Sequence, residues 1–419
     1  MAQTHVIGAG MAGLACAVRL AQAGERVTLY DAAPQAGGRC RSLWDPQLER
    51  TVDNGNHLLL SANPNARAFL RATGAEHRLT APPGAYFPFV DLATGERWTV
   101  RPNDGRLPWW LLFASRRVKG ASALDHLLGA RIAFARDGET VADRLAQPGH
   151  PIWERLWKPL AVSILNTPPE EADAGLLRRV LLDSFAKGGR HARPLVAIKS
   201  LSDTFVEPAL AALDAAGAEL RLGWRLRELA GDDGGITGLD FAQGHEPVAP
   251  DDRVVLAVPA PVARQLIPGL TAPMAVRPIV NAHIRLPHRA RLAEGIPFIG
   301  LVGGTAEWVF LRDDVASVTV SAASQLADRP ASEIAEILWP DVAKALALDP
   351  KHQPPMRVIK ERRATFAQTP EAVRQRPPAK TPVPNLLLAG DWTDTGLPAT
   401  IEGSTLSGHT AADLVLGAR

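Results

Sequence analysis

At 419 residues, 46% of them hydrophobic, the chain is long enough to build two domains, each around its own core. Its 46 basic residues nearly balance 44 acidic ones, and no basic block of the kind that tracks phosphates stands out, so nucleic acid is not an expected partner. The only cysteines, Cys16 and Cys40, exclude a disulfide scaffold and a cysteine-rich metal cluster; no metal site is expected, and a reduced, cytoplasmic location fits.

His5-Val6-Ile7 reads as a short apolar strand, begun too early to leave room for a signal peptide. Gly8-Ala-Gly10-Met-Ala-Gly13 follows and leads into a helix over Leu14–Gln22, after which Arg26–Tyr30 alternates as a second strand closing on Asp31. This strand, helix, strand unit with an acid about twenty residues past the glycines is the pattern of a dinucleotide-binding crossover. Gly8 makes the turn, Gly10 lets pyrophosphate approach the backbone, Gly13 lets helix and strand pack closely, and Asp31 accepts from the adenosine ribose hydroxyls. Gly37-Gly38-Arg39 adds small residues for backbone contact and a guanidinium fork near the pyrophosphate or the cofactor's ring.

Asp53-Asn54-Gly55-Asn56-His57 then places hydrogen-bonding groups at the edge of Leu58-Leu59-Leu60. Gly55 counts among the cofactor contacts. His57 reads either as a proton donor or as an imidazole fixed by hydrogen bonds behind the cofactor. Leu107-Pro-Trp109-Trp110-Leu111-Leu112-Phe113, followed by Arg116, Arg117 and Lys119, has the composition of an interfacial membrane segment, though a buried helix with a solvated basic end reads equally well. No run of about eighteen apolar residues is present to span a bilayer.

Further along, Leu201–Ala216 reads as an amphipathic helix, and Glu219–Leu222, Trp224–Leu229 and Arg253–Val258 as strands. Val280–Leu286, Glu307–Arg312 and Ala316–Ala322 also read as strands, with a helix at Ala331–Trp339. Asn385–Ala389 is a last strand, running into Gly390-Asp391 and a closing helix from about Ile401. The changes of texture predict a nucleotide-binding domain of residues 1–75, 195–275 and 376–419, with a substrate domain, 76–194 and 276–375, inserted twice.

The two glycine motifs and the stretch Gly390–Gly403 resemble the FAD-dependent amine oxidase and phytoene desaturase superfamily over essentially the whole chain. Four pieces resemble its squalene-associated branch: Asp53–Leu60, Trp157–Leu160 with Leu165-Asn166-Thr167, Gly390–Pro398, and Ala399–Gly403. The resemblance implies an α/β chain with a Rossmann-like FAD-binding domain of the glutathione reductase type, a discontinuous α+β substrate domain, and non-covalent FAD. It implies that Leu226 meets adenine, that Asp391 holds ribityl or phosphate groups, and that Thr400 and Ile401 aim a helix N-terminus at the flavin pyrimidine edge. Asp31 stands where the superfamily more often has glutamate, and Asn56 where the branch has glutamine. The implied reaction is reductive loss of a hydroxyl from an allylic C30 alcohol, with His57 the first candidate for the acid and Glu402 the second. No second glycine fingerprint marks a nicotinamide site, so the electron donor is unidentified, and a water-insoluble substrate favours a membrane entrance near Trp109-Trp110. A carotenoid-type desaturase or isomerase is the rival enzyme, and a flavin-free isoprenoid-binding protein the rival from another class.

Overall fold

In a computed structural model, residues 2–232 and 234–417 are described; Met1, Asp233, Ala418 and Arg419, all within the expected nucleotide-binding segments, lie outside them. Five strands lie parallel in the order Glu219–Leu222, Arg26–Asp31, Gln3–Ile7, Arg253–Leu256, Leu386–Leu388. The inner strands are buried along nearly their whole length, as in sheets covered on both faces, with Thr4, His5 and Thr28 buried among the apolar residues. The crossover helix Met11–Gln22 and the closing helix Ile401–Gly417 pack on one another across this sheet. They approach so closely that a Cβ on Gly408 would stand 2.1 Å from the Ala12 carbonyl oxygen, and Arg19 pairs with Asp413 at 2.6 Å. The two ends of the chain thus form one layer.

The second sheet has seven strands in the order Met356–Phe366, Val276–Arg285, Val315–Val320, Trp308–Arg312, Phe298–Val302, Phe87–Asp91, Arg97–Val100. Neighbours are antiparallel except Phe298–Val302 with Phe87–Asp91. Period-two alternation divides its side chains. Val280, Ala282, Ile284, Val309 and Val318 pack with the helix Ala331–Leu346, whereas Asn281, His283, Ser317 and Thr319 face the segment Asp53–Asn56.

Three elements depart from the sequence reading for identifiable reasons. The helix expected to stop at Trp339 runs on to Leu346 through Pro340. An internal proline costs about 3 kcal/mol, but burying Leu338, Trp339 and Val342 contributes roughly 1.5–3 kcal/mol each. Residues Ser202–Val206 form a wider turn and only Glu207–Ala215 is α-helical, so Pro208 falls in a first turn where its missing N–H is harmless. The strand expected from Trp224 starts at Leu226, because Gly223 is left-handed (φ +77°) and Trp224 donates its N–H to the Asp31 carbonyl.

Candidate active site

The parallel strands all end at one edge, and the loops leaving that edge carry Gly8, Asp31, Gly223, Ala257 and Gly390. Open α/β sheets bind their ligands there. Gly8 has φ +112°, and a Cβ on it would lie 2.4 Å from the Ala257 oxygen; one on Gly13 would lie 1.7 Å from the Gly8 oxygen. Close packing alone demands those two glycines. Gly10 is different, since a Cβ there would meet nothing within 4 Å. It opens the helix N-terminus to an anion. Asp31 accepts from the Ala9 N–H (Oδ2, 2.7 Å) and the Ala33 N–H (Oδ1, 2.7 Å), and each oxygen retains a second lone pair suited to a ribose hydroxyl. The Gly223 and Trp224 N–H groups bond to the Ala33 and Asp31 carbonyls, which sets buried Leu226 beside the same loop.

Gly37 and Gly38 adopt φ +105° and +55°, and a Cβ on Gly38 would be 3.2 Å from the Gly10 Cα. This turn delivers Arg39 to Asp391, and the guanidinium grips both carboxylate oxygens at 2.8 Å and also donates to the Ala364 carbonyl. The fork expected near the pyrophosphate or the cofactor's ring is thus paired with the other candidate, from the far end of the chain. Arg39 nonetheless keeps 39% of its side-chain surface accessible.

Around Asp391 the loop is fastened by Arg376, a buried side chain donating to the carbonyls of Thr393 and Leu397 and to the Thr395 hydroxyl. No local pattern in the sequence marks it. The Gly390 N–H bonds to Ser407 Oγ at 2.9 Å. Thr400 accepts the Gly403 N–H at 3.2 Å and so caps the closing helix, which opens with buried Ile401.

Glu402 sits among backbone donors from the helix Pro64–Ala72. Its carboxylate is buried, and it accepts from the Asn65 N–H (3.1 Å), the Asn65 side-chain amide (2.7 Å) and the Ala66 N–H (2.9 Å). It caps the helix Pro64–Ala72.

The segment Asp53–Asn56 is bolted to the second sheet. Asp53 accepts from Arg312 (2.7 Å), Ser42 Oγ (2.6 Å) and the Leu201 N–H (2.9 Å), and its carbonyl accepts from His283 Nε2 (2.8 Å). Asn281 donates to the Asn54 carbonyl at 3.2 Å, and a Cβ on Gly55 would lie 3.4 Å from the Asn281 amide. Asn56 donates to Thr319 Oγ1 at 3.0 Å. His57, next along, makes no hydrogen bond to any described residue. Burial pushes its pKa down to about 4, Arg39 adding to the effect against the opposing pull of Asp53. The imidazole is thus neutral at neutral pH. Leu58, which follows it, and Leu60 pack against the same apolar cluster as Trp157, Phe185 and Phe310.

The residues at the strand edge fit FAD. Gly10 leaves open the space pyrophosphate needs, and Arg39, held by Asp391, keeps part of its side chain accessible beside the same turn. Over 412 residues, and 98% of each chain, the sequence is 45% identical to hydroxysqualene dehydroxylase of Sinorhizobium fredii. It is 44% identical over 417 residues to hydroxysqualene dehydroxylase of Rhodopseudomonas palustris, covering 99% of this chain and 98% of the relative. The family model described as flavin containing amine oxidoreductase matches residues 11–416. The chain belongs to the hydroxysqualene dehydroxylase family of flavin-containing amine oxidoreductases. Cyclohexylamine oxidase from Brevibacterium oxydans shares the fold, with a TM-score of 0.71 at 17% identity over 100% of this chain and 99% of that one. The chain is an FAD-dependent oxidoreductase.

Proposed function

We propose that the chain removes the hydroxyl of hydroxysqualene reductively, yielding squalene and water. The observation that carries this reading is the site's polarity. His57, a neutral imidazole, directly precedes Leu58, whose side chain packs with aromatic side chains, surroundings that suit an allylic cation. When bound and reduced, FAD supplies hydride. Gly8, Gly10 and Gly13 hold its pyrophosphate, Asp31 its ribose and Leu226 its adenine; Gly38, Arg39 and Gly55 shape the cleft around Asp391, which holds the ribityl chain. The helix end at Thr400 and Ile401 favours negative charge on the reduced ring. His57 orients the substrate hydroxyl by a hydrogen bond.

The substrate's route is part of the same reading. Leu107, Trp109, Leu112 and Phe113 are 79, 50, 78 and 50% exposed, Arg116 stacks over Trp109 at 4.9 Å, and Arg117 and Lys119 follow. Trp110 does not join them, for its ring turns in edge-on against His126 at 5.6 Å. Apolar side chains beside cations suit the surface of an anionic bilayer, and among the described residues no helix is long and apolar enough to cross one. The electron donor is read as a transient partner. Anaerobic incubation of the photoreduced enzyme with hydroxysqualene tests the reaction. Squalene is the expected product; a conjugated polyene made by the oxidised enzyme would replace this reading with desaturation.

A further inference from the structure

The stretch Leu165-Asn166-Thr167 has no part in the reaction as described so far, yet its polar residues are buried. It closes the helix Lys158–Leu165, where Asn166 adopts φ +47°, a left-handed turn that asparagine tolerates. Asn166 donates to the Arg277 carbonyl (3.2 Å) and to Thr365 Oγ1 (3.0 Å) and accepts the Ala322 N–H (2.6 Å), which fixes the turn against the second sheet. Gln368 joins this fixed turn to the closing helix. It is 0% exposed; its Nε2 donates to the Leu165 carbonyl at 2.6 Å, and its Oε1 accepts the Ala399 N–H at 2.8 Å. Its own N–H goes to Thr167 Oγ1 at 3.0 Å, and its carbonyl accepts the Asp173 N–H at 2.8 Å. Ala399 precedes Thr400, the cap of the closing helix, and a Cβ on Gly403 would stand 2.4 Å from the Pro398 oxygen, so the turn 398–400 and the first helical turn are packed as one body. The helix at the other end of the link follows Trp157, which packs with the apolar cluster of Leu58, Phe185 and Phe310, and its Ser163 accepts the Trp308 indole N–H at 2.6 Å.

We propose that Gln368 is a positioning residue, which sets the N-terminus of the closing helix in register with the helix Lys158–Leu165 and so with the apolar cluster. Its link to the flavin rests on the reading proposed above, in which the helix end at Thr400 and Ile401 favours negative charge on the reduced ring. An amide suits the position because one atom donates to a carbonyl while the other accepts from an N–H. A carboxylate sets an oxygen against the Leu165 carbonyl, and a thioether leaves two buried backbone groups without their bonds. Either change frees the helix end to shift. A shift of about 1 Å between reacting groups costs on the order of 10²-fold in rate. Moving the helix N-terminus away also stabilises the reduced ring less, which lowers the flavin potential.

Wild type, Q368M and Q368E are loaded with FAD and compared by potentiometry and by anaerobic single turnover with hydroxysqualene across pH. Q368M is expected to keep its flavin content, because Gly10, Asp31 and Arg39 are untouched, while its flavin potential falls and its rate drops on the order of 10²-fold. Q368E should match Q368M at high pH and recover towards wild type as pH falls, since a protonated carboxyl again donates to the Leu165 carbonyl and accepts the Ala399 N–H. Wild type, which keeps Asp173 in the same place, supplies the reference profile. Wild-type potential and rate in Q368M would overturn the proposal. Loss of flavin or of folding in both variants, with the potential of any bound flavin unchanged, would overturn it as well and make the role structural. If the wild type forms no squalene, the proposed reaction fails, and the difference in potential between wild type and Q368M still decides the role of Gln368.

Discussion

Replacing Glu402 with glutamine separates a helix cap from a catalytic acid. The carboxylate is 6% exposed and receives three N–H groups, two from Asn65 and one from Ala66. Glutamine keeps the shape but turns one acceptor oxygen into a donor facing other donors. At least one hydrogen bond to a charged acceptor is lost, at roughly 1.5–3 kcal/mol, along with about 0.3–1 kcal/mol from a negative charge at a helix N-terminus. We expect E402Q to be about 2–4 kcal/mol less stable by urea denaturation with an unchanged m-value. Its turnover with FAD bound should stay within a few-fold of wild type. A loss of activity of about 100-fold or more with stability intact would refute the cap and restore Glu402 as an acid.

Acid should destabilise the fold. His57, His283 and His409 are each pushed down to about 4 by burial, so the unfolded chain binds more protons between that value and 6.5, and their contribution is lost as pH falls through this window. Glu307 has the opposite sign, its raised pKa favouring the folded state at low pH and losing that effect as pH climbs from 4.5 through about 7. Three groups outweigh one at on the order of 3 kcal/mol each, so the urea midpoint should be lower at pH 4.5 than at 6.5; equal midpoints would contradict the burial argument. G10A and G13A should diverge, because the first Cβ points into open space and the second collides with the Gly8 oxygen. G10A is expected to fold and lose flavin, G13A to misfold; a fully flavinated G10A would count against pyrophosphate at Gly10. Serine at Leu107, Leu112 and Phe113 should abolish binding to anionic liposomes, and undiminished co-sedimentation would remove this segment as the membrane contact.

What was legible in the sequence is what depends on local backbone demands. Gly13 is required by the Gly8 carbonyl one turn away, Gly8 has a positive φ, and Asp31 closes a strand that pairs with Gln3–Ile7, its neighbour in sequence. The apolar runs around Val255 and Leu387 could only be covered strands. What was hidden depends on pairs far apart in the chain. Asn281, His283, Ser317 and Thr319 alternate with valine and alanine in a pattern that ordinarily reads as a solvated face, yet they are buried because Asp53–Asn56 lies over them. Glu402 looked free beside Thr400 because its partners, Asn65 and Ala66, lie over 330 residues earlier. Arg376 sits before two prolines in a segment that reads as loop, and only the folded loop at Asp391 shows what it holds. Trp109 and Trp110 read as a pair, but a short helical turn sends one outward and the other against His126.

The most direct test follows the transferred hydrogen. The enzyme is photoreduced in D2O without oxygen, mixed with less than one equivalent of hydroxysqualene, and followed by flavin absorbance and product mass spectrometry. The account predicts one flavin oxidised per squalene formed, with one deuterium on the carbon that lost its hydroxyl. Flavin that stays reduced, or squalene without that deuterium, would contradict it.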